Sequence, residues 1–298
     1  VGGVRHVVFS RIREARATEL RTLADEVLDW VESYRSPAST RLRVVALKEP
    51  PEISPEPAAF LSGDDKRTRV LGSVVHLTLD EGYAELTDPQ IAQFAGISTE
   101  AFHKQFRSKE ECYLAVVDEF TREATASVEA ALDGAPTWPV AVHRAVRAFV
   151  EHITAHPALL RIAFVDLFEV GSGMIDRMTA SVERFTTLLA QSGPEPRRAP
   201  EVLPEVLTGA IWDIISGYAS NERVRFLPCL TDHIAFVILA PYVGPKGAVD
   251  TIEACRYGPR TIPAVSVAGV GCADVKNRST SPDDAAKSRP AADLAAES

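Results

Sequence analysis

Residues Leu77 to Tyr113 read LTLDEGYAELTDPQIAQFAGISTEAFHKQFRSKEECY. Two short helical segments meet here across Ala95-Gly96-Ile97-Ser98, and a further helix follows at once. Thr87 fits an N-cap, with Gln90 three residues on as a capping box. Ser98 fits the next N-cap, and Ser108 followed by Glu111 repeats the device. Gly96 lies in the turn, where a helix must end and a positive φ is often needed. Ala92 and Ala95 are small enough to let helices cross closely. Ile91, Phe94, Ile97, Phe102 and Phe106 are expected to form a compact core. Leu71, Val74, Val75 and Thr78 would cover it from a preceding helix. This is the layout of a helix-turn-helix, with a first helix near 67–82, then 88–95, 99–106 and 109–132.

Working outward, periodic apolar positions continue to Val243. Further helices are expected near 140–155, 158–170, 174–192, 201–220 and 227–240. The fold class expected is all-α. Ser36 to Asp65 carries four of its five prolines between Pro50 and Pro57 and reads as a linker. Residues 246–298 show little periodicity and end in Ser, Pro, Asp and Ala, which reads as a disordered tail. The expected organisation is therefore a helix pair at 1–35, a linker at 36–65, a helix-turn-helix domain at 66–112, a helical body at 113–245 and the tail.

The chain has 298 residues, 46% of them hydrophobic, and a net charge of −9. It is no polycation, so any nucleic-acid surface must be local. The apolar run at the start is too short for a signal peptide, and Ile234 to Val243 is about half a membrane span. A cytoplasmic protein is expected. The four cysteines, Cys112, Cys229, Cys255 and Cys272, form no C-x-x-C, which argues against disulfides or a cysteine zinc site.

Gly3 to Tyr34 and Gly209 to Tyr242 share an order of features. Each opens with Gly and an amphipathic helix, then a polar link, Leu-x-x-Leu (Leu20/Leu23 and Leu227/Leu230), Asp (Asp25 and Asp232), a second helix and Tyr. Two unrelated amphipathic helix pairs would read similarly. As a repeat, residues 1–35 are the last two helices of a preceding unit, and the chain is expected to be a shortened tandem protein. Packed on the body, they would mimic a partner's dimerisation helices.

The pattern G-Y-x-x-L-T-x-x-x-I-A-x-x-A-G-I-S-x-x-x-F-x-x-x-F-x-S-K-E, within Arg69 to Leu114, resembles the TetR family of bacterial one-component regulators. His156-Pro157 before an apolar helix, Trp212, and Leu239-Ala-Pro-Tyr-Val-Gly are similar to later parts of that family. The resemblance implies an all-helical homodimer. Its N-terminal helices would read double-stranded operator DNA, and its body would hold a small-molecule effector that releases DNA. It implies DNA contacts at Arg69, Thr87, Ser98, Thr99, Glu100, His103, Lys104, Arg107 and Lys109. Thr99 could meet a thymine methyl, Lys104 a guanine or phosphate, and Thr87 a phosphate oxygen.

In the body, Phe149, His152, Phe164, Phe168, Met178, Phe185 and Trp212 are candidate lining for an apolar pocket, although such a stripe more often forms core. Leu207, Ile211, Ile214, Ile234, Val237 and Ile238 give apolar helix faces that would pair across a two-fold; packing within one subunit is the alternative. His152 and His156, four apart, could ligate a metal, but capping the helix end before Pro157 is the preferred reading. No cofactor and no metal are expected. No nucleophile elbow, phosphate loop or dinucleotide fingerprint is present, and no enzyme is expected.

Two departures weaken the DNA reading. His103 stands where the family usually has Tyr, and Glu100 puts a carboxylate on the reading helix. Asp80, Glu81, Glu85, Asp88, Glu110 and Glu111 make the surroundings acidic. The expected function is a ligand-responsive repressor. The rival is a degenerate dimerisation or ligand-sequestering module that no longer reads DNA.

Overall fold

A computed structural model describes residues 2–35, 58–171, 202–221 and 223–257, with 173, 174, 177, 180, 181, 184, 185 and 188 between them. The described residues form helices and no strand. The elements are α1 (Gly2–Arg13), α2 (Leu20–Glu32), α3 (Lys66–Glu81), α4 (Asp88–Phe94), α5 (Thr99–His103), α6 (Lys109–Leu132), α7 (Trp138–Ala155), α8 (Pro157–Phe164), α9 (Leu167–Val170), α10 (Leu203–Ser220) and α11 (Thr231–Tyr257). Of the expected linker, 36–57 lie outside the described residues, as do 258–298 and Met178.

The helix starts follow the caps. Thr87 Oγ1 accepts from Gln90 N at 3.4 Å, Ser98 Oγ from Ala101 N at 3.1 Å and Ser108 Oγ from Glu111 N at 3.3 Å. Each answers a backbone N–H that the first turn of a helix leaves without a partner. Asp65 does the same for α3 through Thr68 N. Gly96 takes φ +67, and Ile97 N reaches back to Ala92 O, closing α4 with a reversed turn.

Four expectations need correction. Helix α5 stops at His103, not 106: Phe106 N bonds Phe102 O, and Ser108 is extended (φ −159, ψ 168) to cap α6. The helix expected over 158–170 is interrupted at Val165 and Asp166, where both N–H groups turn to Arg161 O. Phe94 is not core; it is 54% exposed and lies against the ring of His76. The expected tail is helical as far as Tyr257. Gly244 (φ 76, ψ 157) breaks α11, and Pro245 begins its second half, where a missing N–H costs nothing. Ala248, Val249 and Ile252 then bury one face of that half.

The main core lies where α6 and α11 pack on α7, with α3 and α8 closing it. By length and composition alone, Val224–Arg256 could cross a membrane. The Gly244 break divides it, and Asp232 inside it meets a charged cluster. Asp232 Oδ1 lies 2.7 Å from Nε2 of His143, a residue only 1% exposed, and Oδ2 pairs with Arg256. Burial alone would raise the Asp232 carboxyl, but the hydrogen bonds from His143 and Arg256 and their charges hold it below its ordinary value.

The opening helix pair packs on the body. Helix α1 lies along α10, and Val7, Leu23 and Trp30 form a separate cluster with Val202, Leu203, Val206 and Leu207. A Cβ on Gly3 would stand 2.3 Å from Val206 O, and one on Gly209 would stand 2.3 Å from His6 Cβ and 3.1 Å from Gly3 Cα. Gly3 and Gly209, the glycines that open the two compared stretches, therefore meet at the helix crossing. Polar contacts fix the register. Glu26 accepts from Val202 N at 3.1 Å, Arg11 pairs with Glu205 at 2.9 Å, Arg5 pairs with Asp213, and Tyr34 donates to Val237 O at 2.6 Å. The opposite face of the pair leaves Phe9, Ile12, Leu28 and Val31 more than half exposed.

Candidate nucleic-acid interface and interior cavity

Helices α3 to α5 bury Val70, Leu71, Val74, Leu77, Ile91, Ala92, Ala95 and Phe102 between them. That packing leaves Glu100 and His103 exposed and Thr99 half-buried on α5, with Lys104 and Gln105 exposed just past its end. Arg69, Thr87, Ser98 and Arg107 are exposed on neighbouring elements. Arg69 lies close to the Gly96 turn, and Arg67 stacks over the Phe106 ring at 4.7 Å.

Two of the basic side chains on this face lie beside carboxylates. Lys104 Nζ lies 2.8 Å from Glu100, both side chains more than 70% exposed, and His103 Nε2 lies 3.8 Å from Asp88. Lys109, expected at phosphate, is turned inward. Its Nζ donates to the carbonyls of Tyr83 (3.1 Å), Ala84 (3.2 Å) and Leu86 (2.7 Å) and sits over the Tyr83 ring, while its N–H donates to Asp88 at 2.8 Å. It clasps the loop before α4 to the start of α6. Counted from the sequence, residues 66–112 hold six Lys and Arg against seven Asp and Glu.

The body holds a half-open cavity of about 90 Å³ between α6, α7, α8, α10 and the segment carrying Ser181 and Phe185. Of the expected lining, Phe149, Phe164, Phe185 and Trp212 are there, with Phe164 and Trp212 stacked at 4.4 Å. The Phe168 side chain and Met178 lie outside the described residues. His152 does not line the cavity; it stacks on Phe120 at 5.1 Å, and His156, the N-cap of α8, makes no side-chain cap hydrogen bond there. Sequence reasoning missed the α6 wall, Phe120, Thr121, Ala124, Thr125 and Val128, whose four-residue spacing was visible but read only as helix. It also missed Thr208, whose buried Oγ1 has no hydrogen-bond partner.

The residues expected at a dimer face are mostly covered within the chain. Leu207 lies under α1 and α2, Ile211 borders the cavity, and Ile234 and Ile238 are in the main core. Ile214 and Val237 remain half-buried.

A capped helix-turn-helix carried on an all-helical body defines a DNA-binding transcriptional regulator. Residues 75–116 match the family of bacterial regulatory proteins, tetR family, a match confined to the helix-turn-helix and the start of α6. The chain is similar to the HTH-type transcriptional regulator EthR of Mycolicibacterium smegmatis, 27% identical over 198 residues (64% of this chain, 84% of that protein). The EthR of Mycobacterium tuberculosis is 24% identical over 173 residues, covering 55% of this chain and 76% of that one. Among solved structures, the fatty acid degradation regulator FadR from Bacillus halodurans shares the fold, with a TM-score of 0.52 at 13% identity, over 58% of this chain and 94% of that one.

Proposed function

We propose that this chain is a repressor that reads an operator through α5 and loosens when a small apolar effector enters the body. One observation carries the reading: a single helix, α6, begins at the Lys109 clasp on the reading head and forms a cavity wall from Phe120 to Val128. A ligand there can act on the head only through unequal affinity for two positions of that helix. The apolar lining favours a hydrocarbon-rich effector, and the unpaired Thr208 hydroxyl favours one polar group on it. Thr99, Glu100, His103 and Lys104 would face base edges, and Arg69, Thr87, Ser98 and Arg107 would face phosphate. A cytoplasmic site of action follows from that role.

The expected homodimer is modified in this proposal. Helices α1 and α2 take the place that a second subunit's α10 and α11 would occupy, so each chain covers its own pairing face and presents one reading head. The meeting of Gly3 with Gly209 supports this arrangement.

The degenerate-reader alternative is favoured by the Glu100–Lys104 pair and the balance of charge over 66–112. Fluorescence anisotropy on DNA flanking the chain's own gene separates the two. Saturable binding that exceeds random duplex, falls with salt and weakens in Lys104→Ala supports the reader; equal binding to all duplexes supports the alternative. Thr208→Val keeps the cavity volume and removes the hydroxyl, so it should weaken an effector with a polar head and leave DNA affinity unchanged.

A further inference from the structure

We infer that Glu123, His152 and His156 form a binding site for a divalent transition metal of borderline softness, Zn²⁺ foremost. Glu123 projects from α6, His152 from the last turn of α7, and His156 stands at the bend between α7 and α8. One ligand atom from each lies within 4.8 Å of the others, and all three residues are half-buried.

The state of His152 gives the argument its direction. Its ring is stacked on Phe120 at 5.1 Å and set edge-on to His156 at 5.1 Å. Its Nε2 is buried and has no hydrogen-bond partner. A neutral imidazole with its ring proton on Nδ1 carries the lone pair on Nε2, the form in which a histidine coordinates a metal through that atom. A buried imidazole nitrogen left without a partner is costly in any other role.

The separations fit the same reading. The three ligand atoms all lie within 4.8 Å of one another. Ligands at about 2.0–2.1 Å from a tetrahedral ion stand about 3.3 Å apart, so closure asks for movements of roughly 1.5 Å at most, within the reach of side-chain torsions. Two imidazoles and one carboxylate leave a fourth position for water. That donor set suits Zn²⁺, Co²⁺ or Ni²⁺ and is poor for Mg²⁺ or Ca²⁺, which take oxygen.

The site is distinct from the cavity, since none of its three residues lines it. Glu123 also accepts from Phe60 N at 3.1 Å, in the turn Ala59–Leu61 just before α3. A bound ion would therefore join α6, the end of α7 and the approach to the reading head.

The test uses the full chain without a polyhistidine tag, stripped with chelator and titrated with Zn²⁺ by calorimetry and with Co²⁺ by visible absorption. The expected result is one ion per chain, a Co²⁺ spectrum of four- or five-coordinate intensity, and affinity reduced at least about tenfold in Glu123→Gln and in His156→Ala. His152→Phe, which preserves the stack on Phe120, should abolish the Co²⁺ bands, and His76→Ala should leave them unchanged. Absence of a stoichiometric site, or equal affinity in the wild type and in folded Glu123→Gln and His156→Ala, would overturn the assignment. Circular dichroism of each variant establishes that it is folded.

Discussion

Gly3→Leu tests the covered pairing face directly. A Cβ at residue 3 would stand 2.3 Å from Val206 O and 2.9 Å from Val206 Cγ1, well inside any contact real atoms show. The obstruction is backbone, so it cannot rotate away, and α1 must lift from α10. Overpacking of this kind costs about 1–3 kcal/mol. The docked pair is held by the burial of Val7, Leu23 and Trp30, each worth roughly 1.5–3 kcal/mol, against the entropy of ordering two short helices. A loss of about 2 kcal/mol raises the open population about 30-fold. Hydrogen exchange of the 203–211 amides should accelerate by that factor, while the 109–132 amides keep their protection. Light scattering should show added dimer, because Leu207 and Val206 are uncovered on a face that a second copy can use. The pH dependence follows from His6, which packs over Gly209. Burial lowers its pKa below 6.5. Above pH 6.5 the imidazole is neutral whether docked or free and docking is at full strength. As pH falls below 6.5, the free helix takes up a proton that the docked one resists, so docking weakens until the lowered value is passed. Unchanged exchange and unchanged mass in Gly3→Leu, at pH 7.5 and at pH 5.5, would refute the idea that this pair covers a pairing surface.

Glu100→Gln releases Lys104 from its ion pair, so duplex affinity should rise and the slope of log K against log salt should steepen by about 0.9, the value of one added phosphate contact. Lys109→Met should lower thermal stability by about 1–3 kcal/mol, through three carbonyls losing their donor, yet leave the salt slope unchanged; a shallower slope would return Lys109 to the phosphate contacts. Asp232→Asn removes a carboxylate whose folded pKa lies below its unfolded 3.8. Its contribution is complete above pH 3.8 and is lost as pH falls through the lower folded value, so the variant should be less stable at pH 7 and the difference should shrink toward pH 2 in urea melts.

What the sequence disclosed was mostly local. Caps act within four residues, so Thr87, Ser98 and Ser108 set three helix starts that spacing alone could place, and Lys109–Leu132 needed no tertiary information. What escaped depended on partners distant in sequence. Lys109 looks like any surface cation until the loop at 83–86 folds over it. Phe94 matches the apolar period, yet only the crossing of α3 and α4 decides that it faces out. Gly244-Pro245 carries the residues of a helix stop, and Ile252 eight residues on is a weak local sign that another helix follows. The cavity was half legible because aromatic residues announce themselves. Thr208 did not, since a hydroxyl gains meaning only when its surroundings leave it without a partner.

The length of α6 sets a mechanical scale. Lys109 to Phe120 spans eleven residues, about 16 Å of unbroken helix at 1.5 Å per residue. A tilt of about 5° pivoting at Phe120 would carry the Lys109 end through roughly 1.4 Å over that arm. The clasp on the carbonyls of 83–86 would convey that motion to α4 without slack, because three hydrogen bonds and a ring contact oppose slippage. A movement of that size is enough to take a base-edge hydrogen bond out of range. Lys109 would then serve as the hinge pin of the reading head, and its loss would uncouple occupancy of the cavity from grip on the duplex.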